Sequence, residues 1–173
     1  MVLITGCSSG IGKSIALEFA KHPNFKVWAT MRSTDKWDVE PQHNLIIAPM
    51  DVTSDESVDT LVARIIMEEG KIDIVVNNAG YGLAACLELA TIEEAKNVFD
   101  VNVWGTVRVM QAVLPHMRRQ KNGHLISISS TSGIRGVPCL EYYTGSKFAL
   151  EGITDSMRYT YGQFNISMVR NMK

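Results

Sequence analysis

The sequence predicts an α/β fold, a parallel sheet with helices on both faces. Six short apolar runs alternate with stretches of helical periodicity along the chain, the mark of repeated strand–helix units. The run Ile72 to Asn77 is nearly all apolar, as a strand buried on both faces must be. The first run ends in a glycine-rich turn that opens directly into an amphipathic helix.

Taken in order, Val2 to Thr5 is the first strand, and the helix after its turn runs from about Gly12 to His22. Ile15, Ala16, Phe19 and Ala20 lie on one side of that helix. Lys26 to Met31 is the second strand, and Ser33 to Asn44 a polar surface loop. Leu45 to Met50 is the third strand, ending at Asp51. Thr53 and Glu56 have capping-box spacing and open a helix to about Glu69. After the fourth strand, a helical stretch spans roughly Thr91 to Gln120 and is expected to break in two near Asp100. His124 to Ser129 is the fifth strand, Tyr143 to about Gln163 a helix, and Asn165 to Val169 the sixth strand. No repeat, low-complexity segment or linker interrupts the pattern.

The 173 residues fit one domain, large enough for a substantial core. A 46% apolar and 20% charged composition is that of an ordinary soluble protein. A net charge of -1 gives no electrostatic reason to expect nucleic acid as partner. No apolar run reaches the length of a membrane span, and Met1 to Gly6 lacks the basic start of a signal peptide. Cys7, Cys86 and Cys139 are odd in number and widely spaced, which points to reduced thiols rather than a disulfide framework. None lies in a zinc-ligand spacing, so no metal is expected. The expected location is the cytoplasm, with contact to a membrane surface left open.

Two constellations carry chemistry. The first is Thr5-Gly6-Cys7-Ser8-Ser9-Gly10-Ile11-Gly12, between strand and helix. Gly6 permits a tight turn, Gly10 a close backbone approach and Gly12 close helix–strand packing. The helix N-terminus then offers N–H groups and a positive dipole end to a pyrophosphate. At the end of the second strand stands Arg32, a partner for the 2′-phosphate of NADP. Asp35, three residues on, is its rival and would favour the ribose of NAD.

The second is Tyr143-Thr144-Gly145-Ser146-Lys147, with Ser130 thirteen residues before the tyrosine. Tyr143 and Lys147 are one helical turn apart and share a face. An ammonium beside a phenol favours the phenolate. A serine hydroxyl near both can hold a carbonyl or alcohol oxygen, which gives a proton-transfer device with neither metal nor histidine. The Lys147 spacing selects Tyr143 over Tyr142. Only the spacing to Tyr143 distinguishes Ser130 from Ser129 and Ser132.

The glycine turn, Asn77-Asn78-Ala79-Gly80, Asn102, Ser130, Tyr143 and Lys147 resemble, in order and spacing, the short-chain dehydrogenase/reductase family. Ala29 to Arg32, Asp51 to Val58 and Ser146 to Gly152 look like the subgroup of 17-beta-hydroxysteroid dehydrogenase type 1 and photoreceptor all-trans-retinol dehydrogenase. The resemblance implies a Rossmann-like doubly wound parallel sheet of order 3-2-1-4-5-6. It assigns Tyr143 as acid/base, Lys147 as its tuner and holder of the nicotinamide ribose, and Ser130 as the substrate-oxygen ligand. Asn102 would anchor a water leading from Lys147 to solvent. Gly6, Ser8, Ser9, Gly10, Ile11 and Gly12 would form the pyrophosphate turn. Ser9 and Arg32 would take the 2′-phosphate, and Asp51 with Val52 the adenine. Asn78, Ala79 and Gly80 would line the adenosine side.

It further implies an oxidoreductase using NADP(H) rather than NAD on a lipophilic alcohol or ketone of steroid or retinoid type. A homodimer would form through Val101–Gln120 and Tyr143–Gln163. The family's Pro-Gly turn and seventh strand are not found after Val169, so the chain is expected to be C-terminally incomplete. That leaves a second expectation, a weakly active or inactive domain that retains dinucleotide or partner-subunit binding.

Overall fold

The computed structural model describes residues 1–35, 37–40 and 42–171. The end at Met172 and Lys173 lies outside the described residues, as do two positions of the polar stretch 33–44. Six parallel strands form one sheet in the order β3-β2-β1-β4-β5-β6. They are β1 Val2–Ile4, β2 Val27–Met31, β3 Leu45–Pro49, β4 Ile74–Asn77, β5 Gly123–Ile128 and β6 Ile166–Asn171. Around them stand α1 Gly10–Ala20, α2 Asp55–Glu69, α3 Ile92–Phe99, α4 Thr106–Gln120 and α5 Glu141–Tyr161. The expected fold class and strand order are those observed.

Successive strand residues point to opposite faces, and the core divides accordingly. Leu3, Trp28, Val75 and Leu125 pack with Val58, Leu61 and Ile65 of α2 and Val109, Val113 and Met117 of α4. Val2, Ile4, Val27, Ala29 and Val76 pack on the other face with Ala16 and Ala20 of α1. The central register, Val2↔Val27 on one side and Val2↔Ile74 on the other, leaves no exposed edge in the middle of the sheet.

Several boundaries differ from the sequence expectation. The first helix begins at Gly10, not Gly12, so the glycine turn itself supplies its first turn. The α2 cap is Ser54, whose hydroxyl accepts from the Ser57 N–H at 3.2 Å, not Thr53. Thr53 is diverted to Asp51, donating to its carboxylate through N–H and hydroxyl at 2.9 and 2.8 Å. The capping box that does form is Thr91 with Glu94, opening α3. The strand after α2 starts at Ile74, because the backbone of Ile72 is paired instead with the Gln120 side chain.

The expected break near Asp100 is not a break. Helical structure continues from α3 through a π-helical turn at Asp100–Gly105 into α4. The wider turn re-aims one side chain without ending the helix, and such turns concentrate at functional positions. Arg108 fastens it, donating to Asp100 at 2.8 Å and, across to α2, to Asp55 at 2.7 Å. Gly105 permits the turn to close on Val52, since a Cβ there would lie 2.7 Å from Val52 Cγ2.

Candidate active site

A cavity of about 370 Å³ opens at the carboxyl ends of β1, β2, β3 and β4, where the strand order reverses. Open α/β sheets bind ligands in this crevice. Gly6, Ser8, Ser9, Gly10 and Ile11 form one wall, Met31 and Arg32 another, Met50, Asp51 and Val52 a third, and Asn78 to Tyr81 with Val101 the rest.

The glycine turn is a backbone surface. Gly6 has φ +70° and Gly10 φ +57°, conformations open to glycine. Ser9 caps α1 with no side-chain hydrogen bond, so first-turn N–H groups remain available. Gly12 lies behind the turn and does not line the cavity. A Cβ there would sit 2.4 Å from the Gly6 carbonyl oxygen and 2.3 Å from Asn78 Nδ2. Its smallness therefore serves packing.

The turn is stapled to the strand beside it. Buried Thr5 accepts the Asn78 and Ala79 N–H groups at 3.0 and 2.9 Å. Asn78 returns two bonds, donating to the Thr5 and Gly6 carbonyls, each at 3.0 Å. Thr5 was legible only as the last residue before the glycines, and its clamping role needs the β1–β4 pairing to appear.

Arg32 lines the cavity and Asp35 does not. The Asp35 carboxylate accepts from the Ser33 hydroxyl at 3.1 Å. Asp51 faces the cavity with a depressed pKa. Burial opposes its ionisation, but the two Thr53 hydrogen bonds and the nearby Arg32 and Arg108 charges outweigh burial and hold the carboxyl below its ordinary value. The glycine cradle, free helix N-terminus and exposed guanidinium fit a phosphorylated dinucleotide.

The second constellation lies beyond Gly80 and Tyr81. Lys147 is 6% exposed, and its ammonium donates to the Ile128 carbonyl at 2.9 Å, just ahead of Ser129 and Ser130. The same Nζ is 5.7 Å from the centre of the Tyr143 ring. Ser130 is buried, and its hydroxyl oxygen accepts from the Ser132 N–H at 3.1 Å. Its hydroxyl hydrogen stays available to a ligand. Tyr143 packs near Gly82, where a Cβ would lie 3.9 Å from its ring.

Asn102, carried by the π-helical turn, joins the two constellations. It donates to the Tyr81 carbonyl at 2.9 Å, accepts from the Tyr81 N–H at 2.9 Å and donates to Ser146 Oγ at 3.1 Å. Ser146 in turn donates to the Tyr143 carbonyl at 2.7 Å. Tyr81 and Ser146 were given no role from sequence, although Ser146 lies inside the Tyr143–Lys147 motif, because what each does depends on its bonds to Asn102. Among the described residues no group of three metal-ligating side chains exists, and no helix is long and apolar enough to cross a membrane.

Residues 1–171 match the family described as short chain dehydrogenase, and the chain belongs to that family of oxidoreductases. It is 43% identical to human retinol dehydrogenase 8 over 95% of this chain and 55% of that protein. Against human 17-beta-hydroxysteroid dehydrogenase type 1 it is 39% identical over 97% of this chain and 54% of that protein. The chain thus spans about half the length of these relatives, and it falls in their subgroup. Among solved structures, ElxO with NADP bound superimposes with a TM-score of 0.90 at 30% identity, covering 99% of this chain and 72% of that one.

Proposed function

We propose that this chain carries the dinucleotide site and acid/base centre of an NADP(H)-dependent oxidoreductase that interconverts a hydroxyl and a carbonyl on a lipophilic substrate. The observation that carries the reading is that Asn102 ties Tyr81, in the lining of the cavity that holds Arg32, to Ser146 between Tyr143 and Lys147. Arg32 and Ser9 would hold the 2′-phosphate, Asp51 and Val52 the adenine, and the backbone of the glycine turn the pyrophosphate. The likeness to retinol and hydroxysteroid dehydrogenases supports a retinoid or steroid as substrate class.

The bound nicotinamide would supply hydride chemistry. In reduction, Ser130 donates a hydrogen bond to the substrate oxygen, and Tyr143 Oη delivers the proton to that same oxygen. Lys147, fixed by the Ile128 carbonyl, holds its charge beside the Tyr143 ring, 5.7 Å from its centre. Asn102 holds Tyr81 and, through Ser146, the backbone of Tyr143, so the donor keeps its aim. A water on the Lys147 side of Asn102 would complete the path for proton resupply. Oxidation runs the same steps backwards. In the same reading, exposed Trp104 and Phe148 mark helix faces of a homodimer, and the protein works in the cytoplasm or at a membrane surface.

A second reading, dinucleotide binding without turnover, is favoured by the cavity lining, which reaches Tyr81 and Val101 but includes none of Ser130, Tyr143 and Lys147. Following NADPH fluorescence and NADPH consumption with retinal and with estrone separates the two. Turnover that is lost in Tyr143→Phe supports the first; tight NADPH binding with neither carbonyl consumed supports the second.

A further inference from the structure

The cysteines that stand far apart in the sequence do not all stand apart in space. Cys86 and Cys139, 53 positions apart, place their sulfurs 3.0 Å from each other. Both are free, Cys86 half-buried and Cys139 exposed, whereas Cys7 is buried. The backbones are already joined, since the Ala85 N–H donates to the Cys139 carbonyl at 2.9 Å. Cys139 has φ +58°, a conformation a non-glycine residue keeps only when its surroundings impose it. Passing from 3.0 Å to a bonded ~2.05 Å needs about 1 Å of sulfur movement.

We propose that Cys86 and Cys139 are a thiol pair that closes reversibly to a disulfide, tying the segment after β4 to the start of α5 beside Tyr143. With a small-molecule disulfide as oxidant, one cysteine thiolate attacks it and expels a small thiolate. The second cysteine thiolate then attacks the mixed disulfide and expels the other. The two cysteine sulfurs lose two electrons and two protons in all, and the oxidant is reduced to two small thiols. Cys86 at hydrogen-bond distance, with Glu141 nearby, pushes the Cys139 thiol up, so mildly alkaline buffer supplies more of the attacking thiolate.

The bond would act near Tyr143, outside the lining of the cavity proposed for the dinucleotide. Gly82, four residues before Cys86, packs at the Tyr143 ring, and Cys139 lies four residues before Tyr143. Neither cysteine lines the cavity that holds Arg32. Closure should therefore alter KM for a carbonyl substrate and leave NADPH binding unchanged. That consequence rests on the proposed role of Tyr143; formation of the bond does not.

The test uses the full chain treated with oxidised glutathione, then alkylated and digested without reduction. The expected result is a fall from three alkylatable cysteines under denaturing conditions to one, Cys7, with a Cys86–Cys139 linked peptide that dithiothreitol abolishes. Cys86→Ser and Cys139→Ser should each stop at a glutathione adduct on the remaining partner. Stable adducts on both cysteines of the unaltered chain, or a link between two chains that persists on dilution, would overturn the proposal. If the linked peptide forms but neither retinal nor estrone is ever reduced, the oxidoreductase reading fails and the thiol pair stands.

Discussion

The side-chain amide of Asn102 clasps the backbone of Tyr81 from both sides, donating to its carbonyl and accepting from its N–H, each at 2.9 Å. A residue on the π-helical turn thereby fixes the loop that follows β4, and its remaining donor reaches Ser146 on α5 at 3.1 Å. Replacing Asn102 with Ala leaves the Tyr81 backbone groups unpaired, at a cost of about 1–3 kcal/mol for each that stays buried. We expect a lowered Tm. We also expect kcat down ~10–100-fold, with a much smaller change in NADPH affinity, because the loss is one of aim. Thermal unfolding and steady-state kinetics on one preparation measure this; an unchanged kcat would show that the clasp is only structural.

Tyr143→Phe removes one hydroxyl and leaves the ring packed near Gly82. Turnover with retinal or estrone should fall by at least ~10²–10⁴-fold, the usual contribution of a placed proton donor. NADPH titration should give the same affinity as the unaltered chain. Residual turnover near the original rate would move the acid/base role elsewhere.

Arg32→Asp puts an anion where the 2′-phosphate would lie. Charge-assisted hydrogen bonds contribute about 1.5–3 kcal/mol, so NADPH affinity should drop roughly 10–100-fold while NADH affinity holds or rises. Competitive fluorescence titration reads the ratio. A ratio that does not move would place the phosphate away from β2.

Gly12→Ala and Gly10→Ala separate two uses of glycine. At position 12 a Cβ meets the Gly6 carbonyl oxygen at 2.4 Å, and backbone cannot yield as a side chain can. Overpacking of this kind costs ~1–3 kcal/mol, or about 2–4 °C of Tm per kcal/mol in a domain of this size. At position 10 nothing lies within 4 Å, and the cost is the left-handed backbone, with φ +57°. That costs about 1–2 kcal/mol. Both variants should unfold earlier, and a stability-neutral Gly12→Ala would contradict the close approach.

Acid stability should depend on Asp51. Its folded-state pKa is depressed, so it stabilises the fold above its unfolded value, ~3.9, and that contribution disappears as pH falls through the lower folded value. Asp51→Asn should flatten the acid limb of the stability curve below about pH 4 and leave its slope near neutrality alone. Urea midpoints taken from pH 2 to 7 test this; parallel curves for the two proteins would refute it.

Most of the fold was legible because it depends on local periodicity. Apolar runs such as 74–77 and 27–31 bury on both faces whatever their neighbours, and the glycine turn specifies its own backbone. The capping of α2 was not legible. Thr53 and Ser54 are both competent caps, and the choice fell to Ser54 when the Asp51 carboxylate captured Thr53, a preference worth a fraction of a kcal/mol to about 1 kcal/mol. Asp100 likewise read as a helix break, whereas Arg108 binds it across to Asp55 and the helix continues. Tyr81 and Ser146 were missed for the same reason, since their importance lies in what Asn102 does to them.

By itself the sequence determined the parallel sheet, the glycine-rich turn, the presence of Arg32 at the end of β2, and the Tyr143–Lys147 pair, all set within one element or one turn. The tertiary structure alone decided that Arg32 rather than Asp35 faces the cavity, that Asn102 ties Tyr81 to Ser146, and that Cys86 meets Cys139. Each of those depends on how the chain packs in three dimensions beyond the ends of the strands, and spacing along the chain carries no information about that distance.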